Sequence, residues 1–541
     1  MTQTLWSAPP EALGGSPSLA ACSPADMLRV INLMTAGFAG TTDVPTRSGP
    51  LPEGAPAKVA EIVSSALGPA RLAEDGLGAA DALRRVTGVL VEQGLNLTHP
   101  GTLAHLQPAP LPVAVAADVF ASLGNASLDT YDSGPSAVAV ERWLIRVLTG
   151  LAGLTTRADG VLTPGGSLSN LMALLLARDA AAARIGVDIR RSGIAGLPGP
   201  VVFCSELAHF SVHRACAVLG LGEEAVRSVP VDRHHRMRPD ALAAMLAELG
   251  PDRTPIALVA TAGTTDFGSI DPLPELAEIT AAHDMWLHVD AAYGFGTLFS
   301  DRLAGLLRGI ELADSITGDL HKLGWQPAAA SVLLLADRAS FTPLHREVAY
   351  LNPADDTAAG FGGLLGQTLQ TTRRPDAVKV ATTLLALGRG GLGRMVESCH
   401  DLAEHAIGRI LEHPRLERIG GGTLTTAVFR FRTAQVADSD SVNSALRRKL
   451  SQTGGSLLGR TTARDADGIE RTCLKLTFLN PDTTREQVDE VLAEVVATGI
   501  ALEPEIRESS VIATETITAE TIGAEKIGAA TLRTAGTEES A

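Results

Sequence analysis

The sequence contains an acidic residue and a lysine whose side-chain types and positions could support a chemical reaction. Asp290 ends an apolar segment that begins at Met285, and Lys322 is the only lysine between Lys58 and Lys379. Because arginine carries nearly all the other positive charge of that stretch, position 322 favours an amine that can lose its proton, as a Schiff base requires. Taken singly, Asp290 could be a turn residue and Lys322 a surface lysine. Together they predict a functional site.

A glycine-rich turn upstream supplies a third part of such a site. Residues 163–170 read Thr-Pro-Gly-Gly-Ser-Leu-Ser-Asn and precede a strongly apolar helix. The N–H groups of this turn and the positive end of the helix dipole can hold a phosphate group. By itself the segment is more simply a turn before a capped helix. An acid after a buried strand, an isolated lysine and a phosphate turn are the parts that bind a phosphorylated pyridine aldehyde.

Two further motifs favour ordinary structural roles. Residues 388–393 match G-x-G-x-x-G, but they follow a helical pattern and not a strand, so we expect a turn between helices and no dinucleotide site. His209 and His213 lie four residues apart with Glu206 nearby. Since no third ligand stands at motif spacing, we predict no metal site. The simpler interpretations of His209 are a solvated helix start or a ring stacked on a flat group.

Apolar segments alternate with helical ones between residues 99 and 385, as repeated strand–helix–strand units require. The predicted strands cover residues 199–204, 255–260, 286–290 and 329–335. The predicted helices cover residues 137–148, 169–183, 212–219, 239–249 and 274–283. This pattern indicates an α/β fold with a mostly parallel sheet that is covered on both faces and binds its ligand at the carboxyl ends of the strands.

The chain divides into four predicted regions. Residues 1–98 form an N-terminal helical arm that packs on a second subunit, 99–385 the large α/β domain, 386–503 a small α+β domain, and 504–541 a disordered tail rich in Thr, Ala and Glu. The arm's helices are predicted at residues 24–38, 57–67 and 78–93. The elements predicted after the large domain's strands are a helical stretch at 375–413 with a glycine break, strands at 425–432 and 472–478, and helices at 441–452 and 484–498.

Composition narrows the class of protein. The formal net charge of −16 and a pI near 5.3, with no basic stripe, argue against nucleic-acid binding. The five cysteines are scattered without C-x-x-C spacing, which is typical of a reducing compartment. The sequence shows no secretory signal at residues 1–16 and no apolar stretch long enough to span a bilayer. We therefore expect a cytoplasmic protein that neither binds nor spans a membrane.

These motifs, taken in order, resemble the group II pyridoxal-phosphate-dependent amino-acid decarboxylases, which act on aromatic amino acids, histidine, glutamate or diaminobutyrate. The resemblance rests on residues 163–174, 208–211, 261–271, 288–294 and 319–322. It implies the aspartate aminotransferase-like fold, known as fold type I, and pyridoxal 5'-phosphate as cofactor. It also implies a homodimer whose arm and active-site loops cross between subunits.

The resemblance further implies a role for individual residues. Lys322 would form the Schiff base, Asp290 would hold the pyridinium nitrogen charged, and His209 would stack on the cofactor ring. Gly166, Ser167 and His321 would contact the phosphate, Thr261 the ring hydroxyl, Ala292 the second ring face, and Asp319 would belong to the same cofactor site.

Tyr350 matches the family's loop tyrosine, which protonates the substrate carbon after CO2 leaves. A phenol is neutral at pH 7 and can donate its proton there; the alternative is a tyrosine packed at the base of a loop. Residues 350–353 and 369–374 look most like the branch that acts on diaminobutyrate. Departures at residues 323–327 and at Pro375 keep an aliphatic substrate such as valine or leucine open. An aminotransferase-type enzyme on the same fold is a separate alternative. Which of Arg373 and Arg374 contacts substrate, if either, also stays open.

Overall fold

In the computed structural model, which describes residues 27–38, 49–434, 439–464 and 468–507, two sheets organise the chain. The strands are β1 (Thr102–Leu103), β2 (Asp159–Thr163), β3 (Pro200–Ser205), β4 (Val226–Val229), β5 (Thr254–Thr261), β6 (Trp286–Ala291), β7 (Ser315–Asp319), β8 (Ser331–Leu335), β9 (Leu416–Arg418), β10 (Thr426–Phe431), β11 (Leu457–Arg464) and β12 (Glu470–Thr477). The helices are α1 (Met27–Phe38), α2 (Pro56–Leu67), α3 (Ala79–Gln93), α4 (Pro112–Gly124), α5 (Pro135–Leu151), α6 (Gly166–Arg184), α7 (Ile189–Ser192), α8 (Ser211–Val218), α9 (Pro239–Ala247), α10 (Leu273–Ala282), α11 (Ala354–Ala358), α12 (Ala377–Glu412), α13 (Ser439–Gln452) and α14 (485–507).

The larger sheet is mostly parallel, as predicted. Its order is β2-β8-β7-β6-β5-β3-β4. Strands β3 to β7 pair in parallel, whereas β8 runs antiparallel to both β7 and β2. Strand β2 therefore points the same way as β7. Its carboxyl end, and the glycine turn that follows it, lie at the same edge of the sheet as the ends of β5, β6 and β7.

Burial on both faces explains why the central strands read as continuous apolar runs. In β5, residues 256–260 have no exposed surface, and β8 is buried along its whole length. Helices cover both faces of the sheet, so most of the side chains between the layers are small or apolar. The predicted strands at 199–204, 255–260 and 286–290 coincide with β3, β5 and β6 within one or two residues, and 329–335 contains β8.

The second sheet combines β1 with four strands from the C-terminal part of the chain. Its order is β1-β11-β12-β10-β9, and β1 pairs in parallel with β11. Helix α12, which precedes β9 of this sheet, is broken at Gly388. The φ of this glycine, 63°, lies in the left-handed region that glycine tolerates. The predicted interruption between two helices is therefore present, but it is confined to Gly388, and residues 389–393 are helical.

The N-terminal helices bury little of their apolar surface within one chain. Helices α2 and α3 have no buried residue. On α3, Val86 is 48% exposed and Leu90 is 67% exposed. Exposed apolar side chains clustered on one helix in this way are typical of interaction surfaces.

Some predictions fall partly or wholly outside the described residues. The predicted arm helix at 24–38 is described from Met27 onward. The predicted tail at 504–541 begins inside α14, which continues to residue 507, and the rest of it lies outside the described residues. Among the described helices, none has both the length and the apolar character to cross a membrane. The described side chains also form no group of three His, Cys, Asp or Glu residues suited to a metal ion.

Candidate active site

The ends of β5, β6 and β7 bring predicted site residues to one edge of the sheet. Thr261 pairs with Asp290 in the strand register, and Asp290 pairs in turn with Thr317. A cavity of about 260 Å³ opens beside these strand ends. The predicted residues that line it are Gly166, Ser167, His209, Thr261, Asp290, Ala292, Asp319, His321 and Lys322. Segments far apart in sequence thus converge on one cavity.

The glycine turn forms one wall of this cavity at the beginning of α6. A Cβ atom on Gly166 would lie 3.2 Å from Oδ1 of Asp319 and 3.4 Å from Cβ of Ala292. No described side chain caps the helix here. Because the first N–H groups of a helix lack partners within the helix, this wall offers donors and the positive end of the dipole of a 19-residue helix to an anion.

Asp319, which lies beside this wall, also holds Lys322 by an ion pair. Nζ of Lys322 lies 2.9 Å from Oδ2 of Asp319. The other oxygen of Asp319 accepts a hydrogen bond from the Ser331 hydroxyl, and Nε2 of His321 lies 3.6 Å from Oδ2. The turn after the lysine is anchored by Trp325, whose indole N–H donates to the Leu479 carbonyl at 2.8 Å. The amine is therefore kept at the cavity by contacts on both sides.

Both carboxylate oxygens of Asp290 accept hydrogen bonds. Nδ2 of Asn170 donates to Oδ2 at 2.8 Å, and the Ala292 N–H donates to Oδ1 at 3.1 Å. Asp290 is 6% exposed. Asn170 also lines the cavity, but sequence reasoning missed it as a site residue. The sequence does offer one indication of its role, since Asn170 stands one helical turn after Gly166 and therefore lies on the same face of α6.

Thr261 carries a buried hydroxyl that has no partner among the described residues. Its backbone N–H donates to Oδ2 of Asp271 at 2.7 Å, and the Met237 N–H donates to Oδ1 at 2.7 Å. Burial raises the pKa of Asp271 to about 6, although these two hydrogen bonds oppose the shift. The fixed backbone aims an unsatisfied polar atom into a cavity, which is where a bound ligand would satisfy it.

Residues near the second sheet support the rim of the cavity. The hydroxyl of Tyr293 lies 2.7 Å from Oγ1 of Thr425, and burial raises the pKa of this phenol to about 12. Lys475 donates to Oδ1 of Asp266 at 2.7 Å, in the loop that follows Thr261. The C-terminal part of the chain therefore helps to hold the cavity's walls in place.

The structure does not bring Tyr350 to the cavity of its own chain. Tyr350 is 84% exposed and lies outside the cavity lining. The two arginines of the same region also point elsewhere. Arg373 pairs with the buried Glu141 at 2.9 Å, and Arg374 pairs with Asp118 at 2.9 Å. In the single chain both arginines form ion pairs away from the cavity, and neither lines it.

The residues of the cavity fit pyridoxal phosphate. The N-terminus of α6 would hold the phosphate, the Thr261 hydroxyl would gain the partner it lacks, and Asp290 would face the ring nitrogen. Lys322 supplies an amine for the aldehyde. Ala292 and the imidazole of His209 also line the cavity and would contact the flat ring of the cofactor.

Comparison with known proteins agrees with this chemistry. Residues 84–432 match the model of the pyridoxal-dependent decarboxylase conserved domain. The chain is 41% identical over 435 residues to L-2,4-diaminobutyrate decarboxylase of Rhizobium meliloti, covering 80% of this chain and 84% of that protein. It is 35% identical over 436 residues to the enzyme of the same name from Acinetobacter baumannii, covering 78% and 84%.

A solved structure confirms the predicted fold type I. The glutamate decarboxylase domain of diaminobutyrate-pyruvate transaminase and L-2,4-diaminobutyrate decarboxylase from Vibrio parahaemolyticus superposes with a TM-score of 0.77 at 30% identity, covering 88% of this chain and 96% of that one. The family match spans both the cavity and most of the framework that positions it. The chain belongs to the pyridoxal-dependent decarboxylase family.

Proposed function

We propose that this pyridoxal-phosphate-dependent decarboxylase acts on an L-diamino acid, with L-2,4-diaminobutyrate as the first candidate. Removal of CO2 from that substrate leaves propane-1,3-diamine. The observation that carries the proposal is the 41% identity to a relative of that name over 80% of the chain. A second relative of the same name at 35% identity supports it.

Each residue of the cavity has a distinct task in this proposal. Lys322 holds the cofactor, and Asp290 faces the ring nitrogen as an anion whose two oxygens already accept hydrogen bonds. The bound cofactor supplies an electron-withdrawing ring that stabilises the negative charge left on Cα when CO2 departs. His209 and Ala292 would contact that ring, and such contacts would fix the direction from which the substrate's Cα bonds meet it.

Tyr350 is the proposed proton donor to Cα. A phenol suits this task because it is protonated at neutral pH and lies in a loop that can close over a site and exclude water. Its 84% exposure in one chain and its distance from the cavity lining support a role in the partner subunit's site.

The proposed assembly is therefore a homodimer. The apolar side chains exposed on α3 support it. No residue of α2 or α3 is buried within its own chain, so this surface is available to contact a second subunit. We further propose a cytoplasmic enzyme. Cys204, Cys216, Cys399 and Cys473 are buried and unpaired, which suits a reducing compartment.

The test is CO2 release from the purified holoenzyme across a panel of L-amino acids. We expect diaminobutyrate to give the highest kcat/KM, above ornithine and lysine, with the diamine identified as the product. Valine or leucine as the best substrate would overturn the diamino-acid proposal. Formation of a keto acid in place of CO2 and amine would overturn decarboxylation itself.

A further inference from the structure

Asn170 is a buried amide whose hydrogen-bonding groups are all in use. It is 1% exposed. Its Nδ2 donates to Oδ2 of Asp290 at 2.8 Å and to Oγ of Ser211 at 3.0 Å. Its Oδ1 accepts from the Thr317 hydroxyl at 2.9 Å and lies 3.0 Å from Nε2 of His288. One side chain thus joins four others behind the cavity.

The orientation of this amide follows from the carboxylate that it contacts. If the amide were flipped, Oδ1 of Asn170 would lie against Oδ2 of Asp290, and two acceptors would meet at hydrogen-bonding distance without a proton between them. The Ala292 N–H already occupies the other oxygen of Asp290 as a donor. Nδ2 therefore faces Asp290 and Oδ1 faces His288.

The oxygen side of the amide then sets the proton on His288. Burial lowers the pKa of this histidine to about 4, so the ring is neutral near pH 7 and carries one proton. Because Oδ1 of Asn170 can only accept, that proton sits on Nε2. Nδ1 must then accept from the Ser315 hydroxyl at 2.8 Å, and Oγ of Ser315 accepts in turn from the Trp286 indole N–H at 2.7 Å.

The nitrogen side of the amide sets the proton on His209 by the same logic. Oγ of Ser211 accepts from Asn170, so its own proton is free to point at Nδ1 of His209, which lies 2.9 Å away. The Ser211 backbone N–H also points at Nδ1, at 3.3 Å. Burial lowers the pKa of His209 and favours its neutral form. With two donors aimed at Nδ1, its single proton belongs on Nε2.

We propose that Asn170 is a positioning residue that fixes His209 in the tautomer with the proton on Nε2 while it holds Oδ2 of Asp290 in place. His209 lines the cavity, so its Nε2–H becomes a neutral donor for an acceptor oxygen of the bound ligand. One buried amide thereby orients both the residue beneath the ring nitrogen and the residue on the ring face. This role rests on the family's cofactor and not on the diamino-acid substrate.

The first test needs no substitution in the amide itself. Holoenzyme labelled with ¹⁵N-histidine is examined by long-range ¹H–¹⁵N correlation near pH 7, and the His209 signals are assigned by their loss in His209→Gln. We expect an unprotonated Nδ1 and a protonated Nε2. A protonated Nδ1 in the wild-type enzyme would overturn the proposal.

The second test removes the amide. In Asn170→Ala we expect the single His209 tautomer to give way to a mixture and the affinity for pyridoxal phosphate to fall about tenfold, the scale of one lost charge-assisted hydrogen bond. Ser211→Ala should alter the tautomer and leave cofactor affinity nearer to the wild-type value, since the bond from Asn170 to Asp290 remains.

Asn443 supplies the matched control for these variants. It is another fully buried asparagine, but its amide serves Phe431 and Ser439 in the second sheet's layer. Asn443→Ala should cost stability and leave the His209 tautomer unchanged. If Asn170→Ala keeps the Nε2 tautomer and wild-type cofactor affinity, Asn170 does not position this site. These readouts do not depend on which amino acid the enzyme decarboxylates.

Discussion

Lys322 and Asp319 form an ion pair of 2.9 Å at the end of β7, three residues apart along the chain. The side chain of Asp319 is only 4% exposed, and its second oxygen is held by the Ser331 hydroxyl on the neighbouring antiparallel strand. A carboxylate so constrained has little freedom to leave the lysine. In a buried setting such a pair fixes geometry more than it adds stability, and here it keeps a primary amine at the edge of the cavity.

Removal of that amine should abolish the reaction even when the positive charge is kept. In Lys322→Arg the ion pair to Asp319 can persist, but arginine stays protonated and cannot bond to the cofactor's aldehyde carbon. We expect CO2 release to fall by roughly 10³-fold or more, the scale of losing a group that takes part in the chemistry, with loss of the bound cofactor's absorbance. Lys449→Arg on the exposed face of α13 is the control. Substantial turnover by Lys322→Arg would exclude the lysine from its proposed role.

Tyr350→Phe should separate cofactor binding from product formation. Tyr350 does not line the cavity of its own chain, so we expect the variant to keep its cofactor. Amine formation should fall about 10²-fold or more because the proton donor is lost, with a larger share of abortive or oxidative by-products. Product analysis by mass spectrometry measures both. Tyr131→Phe removes a phenol elsewhere and should behave as wild type; normal amine yields from Tyr350→Phe would remove this tyrosine from the mechanism.

A charge on the exposed face of α3 should weaken the dimer. Leu90 is 67% exposed in the single chain. A glutamate at this position in a dimer interface would be buried without an oppositely charged partner, which costs free energy of association. We expect the dimer dissociation constant of Leu90→Glu to rise about tenfold or more, as measured by sedimentation over a range of concentrations. Leu411→Glu, at a leucine that is 64% exposed on α12, serves as the control. An unchanged constant for Leu90→Glu would show that the arm does not form the interface.

His288 should make the enzyme sensitive to mild acid. Its pKa falls from 6.5 to about 4 in the folded protein because it is buried. Below pH 6.5 the histidine binds a proton in the unfolded chain but stays neutral in the folded chain, which favours unfolding. The contribution of His288 to the free energy of unfolding is therefore complete above pH 6.5 and is lost as the pH falls toward 4. We expect the wild type to lose up to about 3 kcal/mol of unfolding free energy more than His288→Gln between pH 7 and 4. Parallel denaturation profiles for the two proteins would contradict this assignment.

The sequence could predict the central strands because burial on both faces leaves a continuous apolar pattern. Strands β3, β5 and β6 follow that rule. It failed at β4, whose residues Arg227 and Ser228 face solvent, and at β2, a short segment next to a glycine turn. It also failed at β7, which is fully buried but reads Ser-Ile-Thr-Gly-Asp and so shows no apolar run. Strands β1 and β9 were also missed, because two or three residues are too few to show a pattern. Strand β11 was missed although it has eight residues, because several of them are exposed.

Local chemistry in the sequence was enough to indicate the cofactor site. An isolated lysine, an acid after an apolar run and a glycine turn before a helix can each be recognised from the neighbouring residues in the sequence. Their residue types and their order along the chain therefore indicate the site. Asn170 and the unpaired Thr261 hydroxyl could not be found in this way. Their roles depend on which groups meet across strands and helices that are distant in sequence.

The sequence by itself predicted that Lys322, Asp290 and the residues of the glycine turn serve one phosphorylated cofactor, because those residue types have few other reasons to occur together. Only the tertiary structure decided that they share a cavity with Asn170 at its back, that Arg373 is committed to Glu141, and that Tyr350 lies away from its own chain's cavity. The reason is physical: hydrogen-bond partners, burial and exposure arise when separate segments pack, and no single segment contains them.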